Sequence, residues 1–444
     1  MIVEIPNNFI DERKYILKII LSDFLGLNFD ISIDNAKINY VLILENSKKI
    51  IIKDAFFNNF SNSEYLQEAN IPSLVIFAKN RFYSEEELPI LYGNSELIEE
   101  KDSITYGNDI FAASFFMLTR WEEFVIKQKD EFGRFPEEMA LSIKHGFHIR
   151  PVVNQYVEML WNMLISLGFQ QKRKTRKYQL KITHDVDFLK KYDTFSKISR
   201  IIIGDILKRK SLNKIIETLT TVLKIYLKKE KDPFDVFDFF MNVSENNGLQ
   251  SHFYFIPSVL DKYSTYSIEN KQLKAIIQQI IDRKHIIGYH ASWLAFENTE
   301  LFEKEVNILR NLGIKITEGR QHYLRFKVPD TWKIWEQFGL EEDSSLGFSN
   351  TIGFRTGTCY EYKVFDILSK KELNLCENPL IAMDSALLKC CKSNTEMQKK
   401  IYDIAQVVKK YNGNFVLLWH NNNINCNFGK NFDAKYVDII NQVV

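Results

Sequence analysis

Leu180-Lys181-Ile182-Thr183-His184-Asp185-Val186-Asp187 is a short apolar run that ends in a histidine and two acids. Tyr178, Leu180 and Ile182 alternate with Gln179 and Lys181, a period of two that predicts a strand. The acids then fall at its carboxyl end, where open and barrel α/β folds gather their chemistry. Two acids two positions apart can diverge once the chain leaves the pleat, so one can hold a cation while the other moves protons. An isolated D-x-D is more often a pair of caps on the next helix, and what surrounds this one decides between the two readings.

The next convincing strand, Ser251 to Ile256, begins roughly sixty residues later, far beyond an ordinary βα connection, so an insertion is expected at about 190–235. Its middle carries Ile201, Ile202, Ile206, Ile215, Ile216, Leu219, Val222, Leu223 and Leu227 on helical spacing. Lys208, Arg209, Lys210, Lys214, Lys224, Lys228, Lys229 and Lys231 lie outside that pattern. Such a basic amphipathic pair fits a lysine-faced hairpin packed on its domain, a lid over a site, or a surface that lies on an anionic membrane. Beyond it, candidate strands Ile286 to His290, Ile314 to Glu318, one near Ser344 to Leu346, Pro379 to Met383 and Phe415 to Trp419 alternate with helical stretches. That is the rhythm of a parallel sheet or barrel.

Upstream, apolar Ile16, Ile19, Ile20 and Phe24 share one helical face over Ile10 to Leu25, with Gly26 as the stop. Strands follow at Asp30 to Ile33, Tyr40 to Leu44, Ile50 to Ile52 and Ser73 to Phe77. A helix apolar nearly all round spans Asp109 to Phe124, and its end, Arg120 with Glu122 and Glu123, reads as an ion cluster. An amphipathic helix from Val152 to Leu167 stops at Gly168, and the basic stretch Gln170 to Lys177 reads as a linker. The expected organisation is therefore a small mixed α/β domain over 1–170 and a second domain over 178–444 that contains the insertion.

A chain of 444 residues with 45% hydrophobic content can bury two cores. Lysine and arginine number 58 against 57 aspartates and glutamates, so no global attraction to nucleic acid is expected. Five cysteines without a C-x-x-C pair point to a reducing compartment rather than a disulfide framework. The amino end lacks a basic region, and the apolar run from Tyr15 to Phe29 is broken by Lys18 and Asp23. Neither signal peptide nor spanning helix is expected, and the expected location is cytoplasmic, at most peripheral to the inner face of the membrane.

Of eight histidines, His184, His290, His322 and His420 each stand at or just after a predicted strand end. Asp187 and His290, with His322 as a third donor, offer the mixed N/O ligands of one divalent cation, most simply zinc, with cobalt, manganese or nickel able to take the same ligands. Asp185 is then left to take a proton from water, and His420 to protonate a leaving amine. This is the arrangement of metal-assisted amide hydrolysis.

Thr183-His184-Asp185-Val186-Asp187, Gly288-Tyr289-His290-Ala291-Ser292, Arg320-Gln321-His322-Tyr323 and Leu417-Leu418-Trp419-His420-Asn421 resemble, in order and approximate spacing, the motifs of the polysaccharide deacetylases with a NodB-homology domain, carbohydrate esterase family 4. The resemblance runs from about Tyr178 to the carboxyl end, interrupted by the insertion, and implies a distorted (β/α) barrel. It makes Asp185 the catalytic base, Asp187 and His290 metal ligands, and His420 the general acid. Arg320 would orient the base, and the Tyr323 N–H would face the oxyanion. Asp343 matches an acid that tunes the histidine. The chain departs from the family at Ala291, which replaces a hydroxyl residue, and at Leu294, which replaces the second motif histidine; His322, standing where the family has proline, would substitute for that ligand. Arg355, in Gly353-Phe354-Arg355-Thr356-Gly357, could bind a sugar or phosphate. Trp293 and Trp419 could stack on a sugar ring, although both also suit core packing.

The resemblance implies removal of an N-acyl group, most simply acetyl, from an amino sugar or glycan in bacterial surface-polysaccharide assembly. A nucleotide-linked or lipid-linked intermediate would suit a cytoplasmic location, and the insertion would give the lipid-linked case a peripheral membrane contact. A catalytically silent relative that binds glycan or a partner enzyme is the alternative, and a phosphoester or acyl ester is a third target open to the same metal-activated water. The segment before Lys177, with Arg120-Trp121-Glu122-Glu123 and Gly133-Arg134-Phe135, resembles the amino-terminal domain of uncharacterised deacetylase-like proteins, which brings no activity with it.

Overall fold

The computed structural model describes residues 1–60, 64–207, 211–257, 266–424 and 432–444. The basic run Lys208-Arg209-Lys210 and Cys426 lie outside the described residues. The chain is mixed α/β and forms two compact units. The first joins Met1–Leu180 with Thr317–Cys390 and Asp403–Val416; the second holds Lys181–Ile316, Cys391–Tyr402 and Leu417–Val444.

The described strands, in chain order, are β1 (Ile2–Ile5), β2 (Asp30–Ile33), β3 (Asn39–Ile43), β4 (Lys49–Lys53), β5 (Ile76–Asn80), β6 (Tyr83–Ile90), β7 (Gly93–Glu99), β8 (Ser103–Asn108), β9 (Gln179–Val186), β10 (Ser251–Phe255), β11 (Ile286–Ala291), β12 (Glu318–Gln321), β13 (Glu342–Asp343), β14 (Tyr362–Asp366), β15 (Lys371–Glu377), β16 (Leu380–Met383) and β17 (Asn414–Leu418). In the first unit a sheet runs in the order β2-β1-β3-β4-β8-β7, with β5 and β6 as a separate antiparallel pair. Strands β6 and β7 escape a sequence reading because their side chains, among them Ser84 to Glu87 and Asn94 to Glu96, are mostly polar and exposed. Backbone pairing rather than an apolar face defines them. Strands β12 and β13 begin at Glu318 and Glu342, displaced from the predicted Ile314 and Ser344, because their extent is set by the parallel ladder that pairs Glu318 with Glu342 and Gly319 with Asp343.

The first helix runs from Ile10 to Leu17 and continues as a wider π-helical stretch, Lys18–Phe24. It stops at Gly26, whose φ of +73° and proximity to Lys174, 2.7 Å from where a Cβ would stand, leave room for no other residue. Ile110–Thr119 is buried on every side, as its sequence predicts, and Asp109 caps it by accepting from the Ala112 N–H at 2.9 Å. The predicted single helix to Phe124 is broken at Arg120, whose φ of 52° turns the chain into the short helix Trp121–Val125.

That turn places a buried charge network at the centre of the unit. Glu123 receives Arg120 Nε at 2.9 Å and, from the distant segment Gly353 to Gly357, Arg355 Nη2 at 2.6 Å and Nε at 2.9 Å. Burial by itself would raise the Glu123 carboxyl, but Arg355 and Arg120 bring it below its ordinary value. Glu122 pairs with Arg120 and caps the Leu141 N–H at 3.0 Å. Tyr15 and Tyr362 add hydroxyl bonds to the Lys363 and Leu118 carbonyls, each at 2.8 Å, so residues before 180 and after 317 share one core.

In the second unit β9, β10 and β11 pair in parallel. The insertion folds as two helices, Phe195–Leu207 and Leu212–Tyr226. No helix among the described residues is long and apolar enough to cross a membrane.

Glu123→Ala leaves two buried guanidinium groups without their shared carboxylate. It is expected to cost about 3–5 kcal/mol of stability. Chemical denaturation checks this, and a loss under about 1 kcal/mol would show that the network contributes little to the fold.

Candidate active site

The parallel register sets Tyr254 beside Asp185 and Phe255 beside both Val186 and Tyr289. Asp185 and His290 therefore stand near the carboxyl ends of β9 and β11, the two strands that flank β10, and Asp187 follows β9 immediately. Tyr266 fastens those ends: its hydroxyl donates to the Val186 carbonyl at 2.5 Å and accepts from the Ile256 N–H at 2.8 Å. Burial holds this phenol well above its ordinary pKa, so it stays neutral. Asn421 donates to the carbonyls of Phe188 at 2.7 Å and Phe234 at 3.0 Å, which fixes the loop after β9 to the segment that carries His420.

The second unit thus brings four predicted residues together. His290 Nε2 lies 3.4 Å from Asp187 Oδ1 and 3.7 Å from Asp185 Oδ2, and His420 Nε2 lies 3.9 Å from Asp187 Oδ2. Asp185 and His290 are buried, whereas Asp187 and His420 are partly exposed, so the group has a closed floor and an open side. Two donors on a four-coordinate ion with bonds of about 2.0–2.2 Å sit roughly 3.3–3.5 Å apart, and Asp187 Oδ1 and His290 Nε2 meet that spacing. Asp187 and His290 therefore fit as two ligands of one divalent cation.

His184 plays a different part. Its ring lies between Phe240 at 3.9 Å and Phe253 at 4.9 Å, both nearly parallel to it, and its Nδ1–H donates to the Trp419 carbonyl at 2.8 Å. Burial pushes it down to about 3, so it is a neutral core residue that ties β9 to the chain just past β17. Trp419 is 1% exposed with Tyr436 edge-on at 5.3 Å, and so enclosed a ring offers no face to a sugar. Trp293 is half-buried in the turn after His290, and Leu294 beside it is 43% exposed. Glu305, which the sequence reading passed over, accepts from the Tyr289 hydroxyl at 2.8 Å and the Ser292 N–H at 3.1 Å, holding that turn from below. Its signal is an acid amid Phe302, Val306 and Leu309 on the buried face of one helix.

The first unit carries the remaining candidates. Arg320 is fully buried, and its Nε donates to the Ser344 carbonyl at 2.7 Å. His322 is buried and begins a single turn in which Tyr323 adopts φ 60°, ψ 15°, a left-handed conformation disfavoured for a bulky residue. The Asp130–Arg134 turn holds it there: Phe132 stacks on the Tyr323 ring at 5.1 Å, and Arg134 Nη1 donates to the Tyr323 carbonyl at 2.9 Å. Arg134 and Phe132 are thus positioning residues for Tyr323 that sequence motifs alone do not assign. Arg355 reaches the wall of a cleft of about 380 Å³, but its Nη1 is engaged by the Gly347 carbonyl at 2.8 Å and its other nitrogens by Glu123.

Asp343 lies opposite Glu377 in the ladder of β13 and β15. Ser345 donates to Asp343 at 2.5 Å; Trp332 Nε1 at 3.1 Å and the Leu346 N–H at 3.0 Å donate to Glu377. Burial raises Asp343 to about 7 and Glu377 well above its ordinary range, so the pair keeps a proton near neutrality.

The chain is thus a mixed α/β protein whose second unit clusters two acids and two histidines near strand ends. Residues 1–169 match DUF7033, a family of unknown function. A crystal structure from Mycobacterium smegmatis, provisionally assigned as a polysaccharide deacetylase, is similar at 13% identity and a TM-score of 0.40, over 61% of this chain and 85% of that one. No curated protein matches the chain in sequence.

Because the folded-state pKa of Asp343 is raised, its stabilising protonated form is fully present below the unfolded value and is lost as pH rises through about 7. Asp343→Asn is therefore expected to flatten the fall in Tm that wild-type protein shows between about pH 6 and pH 8. Parallel Tm–pH curves for the two proteins would refute a proton held by this pair.

Proposed function

We propose that the chain is a metal-dependent hydrolase that removes an N-acyl group, most simply acetyl, from an amino sugar or glycan intermediate of surface-polysaccharide assembly. The observation that carries this reading is the gathering of Asp185, Asp187, His290 and His420 within 3.4–3.9 Å contacts at parallel strand ends. In this reading the parallel strands belong to a distorted (β/α) barrel of the NodB type within the 178–444 region, and the reaction takes place in the cytoplasm on a nucleotide-linked or lipid-linked intermediate.

Asp187, His290 and His322 are the proposed ligands, a carboxylate and two imidazoles that could hold a metal ion. A divalent cation there, zinc in the simplest case, supplies Lewis acidity and lowers the pKa of water. Asp185 takes the proton from the attacking water, and Arg320 orients that carboxylate. The Tyr323 N–H, presented by its left-handed backbone, faces the developing oxyanion. His420 gives its proton to the departing amine as the C–N bond breaks, so one water is consumed and carboxylate and amine are released. Asp343 tunes the histidine and Trp293 borders the sugar, while Arg355 stays engaged by Glu123 and the Gly347 carbonyl.

Exposed Leu294, at the position of the family's second metal histidine, favours one other reading: a silent relative that binds glycan or a partner without turnover. Elemental analysis separates the two. About one equivalent of metal, lost in His290→Ala, is expected for the hydrolase; protein that takes up none from zinc, cobalt or manganese supports the binder.

Asp185→Asn is expected to keep the metal and lose deacetylation of N-acetylated sugar substrates. If it loses the metal instead, the two acids have exchanged roles. His322→Ala is expected to weaken metal affinity by more than the roughly 10–100-fold of an indirect contact. An unchanged affinity, measured by competition with a chromogenic chelator, removes His322 from the ligand set.

A further inference from the structure

The two insertion helices carry many of the chain's exposed large apolar side chains. They meet through a small inner face where the Thr218 hydroxyl donates to Asp205 at 3.3 Å, both residues buried, with Ile198, Ile202, Ile215, Val222 and Ile225 half-buried around them. A second face remains uncovered. On the later helix Leu212, Ile216, Leu219, Leu223 and Tyr226 recur at three- and four-residue steps and are all exposed, Leu212 by 76% and Tyr226 by 83%. On the earlier helix Phe195, at 84%, joins Ile203, Ile206 and Leu207. Single exposed apolar residues are ordinary, but stripes of five and four on two paired helices are of the kind that marks a binding surface.

Charge identifies what covers it. Residues 190–231 hold twelve lysines and arginines against four acids, in a chain whose overall formal charge is +1. Arg200, Lys214, Lys224, Lys228 and Lys229 are exposed, and on the later helix Lys214 and Lys224 fall on a different face from the apolar stripe. An apolar stripe on basic helices matches the boundary between acyl chains and anionic headgroups: the apolar side chains enter the hydrocarbon edge while the long lysine and arginine side chains reach phosphate. A water-soluble partner would have to match both features, whereas an anionic bilayer offers both everywhere.

We propose that the helices Phe195–Leu207 and Leu212–Tyr226 lie flat on an anionic membrane surface and hold the protein there peripherally. At 13 and 15 residues they rest on the bilayer and do not span it. This stands apart from the hydrolase reading, because its test requires neither metal nor turnover.

The experiment is co-sedimentation of the full chain with phosphatidylcholine vesicles with or without roughly 30% phosphatidylglycerol. Wild-type protein is expected to pellet with the anionic vesicles, to be released by about 0.5 M salt, and to stay in solution with neutral ones. A triple variant, L212E/L219E/L223E, changes only exposed side chains and is expected to lose about tenfold in partitioning with its circular dichroism unchanged. Lys224→Glu with Lys228→Glu should weaken binding to anionic vesicles selectively. No pelleting on anionic vesicles, or equal pelleting by the triple variant, overturns the proposal. So does a wild-type dimer, seen by light scattering, that the triple variant dissolves while neither protein binds vesicles, since a second copy would then be the occupant.

Discussion

Parallel pairing of β9 with β10 and β11 is the constraint on which the candidate site depends. A parallel ladder brings the carboxyl ends of successive strands to one edge, so side chains far apart in sequence, on the strands either side of β10, can meet over its end. Asp185 and His290 meet for that reason. What keeps the edge from fraying is polar and local: the Tyr266 hydroxyl bridges the ends of β9 and β10, Glu305 supports the turn after β11, and Asn421 secures the loop after β9. Each satisfies backbone groups that leave the ladder, where an unmet N–H or carbonyl would otherwise weaken the position of the residue beside it.

Burial divides the histidines and acids into two kinds. His184 is enclosed by aromatic rings and held neutral, so it serves as a hydrogen-bonding spacer in the core. His420 and Asp187 keep an open side, which a group that exchanges protons or ligands requires. The same division separates Glu123, ionised because two guanidinium groups surround it, from Asp343 and Glu377, where burial outweighs the pull of Arg320 and the pair holds a proton. The balance between burial and nearby positive charge decides whether a buried carboxyl is charged.

The first unit explains why the chain before Lys177 is more than an appendage. Its Asp130–Arg134 turn grips Tyr323, and its Glu123 receives Arg355, so residues beyond 317 complete a core begun before residue 180. A left-handed tyrosine costs free energy that the backbone alone cannot supply, and the stacked Phe132 with the Arg134 bond offsets it. The left-handed backbone at Tyr323 is thereby held in place by a segment distant in sequence.

The sequence by itself determined the local features: the strand ending at Asp185, the all-round burial of Ile110 to Thr119, the stop at Gly26, and the amphipathic insertion. Each is written in a short-range period or in one residue's backbone preference. It also singled out Asp185, Asp187, His290 and His420, because reactive side chains at strand ends are visible one strand at a time. Only tertiary structure decided that His184 and Trp419 belong to the core, that Arg120 breaks its helix to meet Glu123, and that Tyr323 leans on Phe132 and Arg134. Those outcomes depend on partners between 3 and 235 positions away, and burial, charge pairing and backbone strain are properties of such encounters that no local pattern encodes.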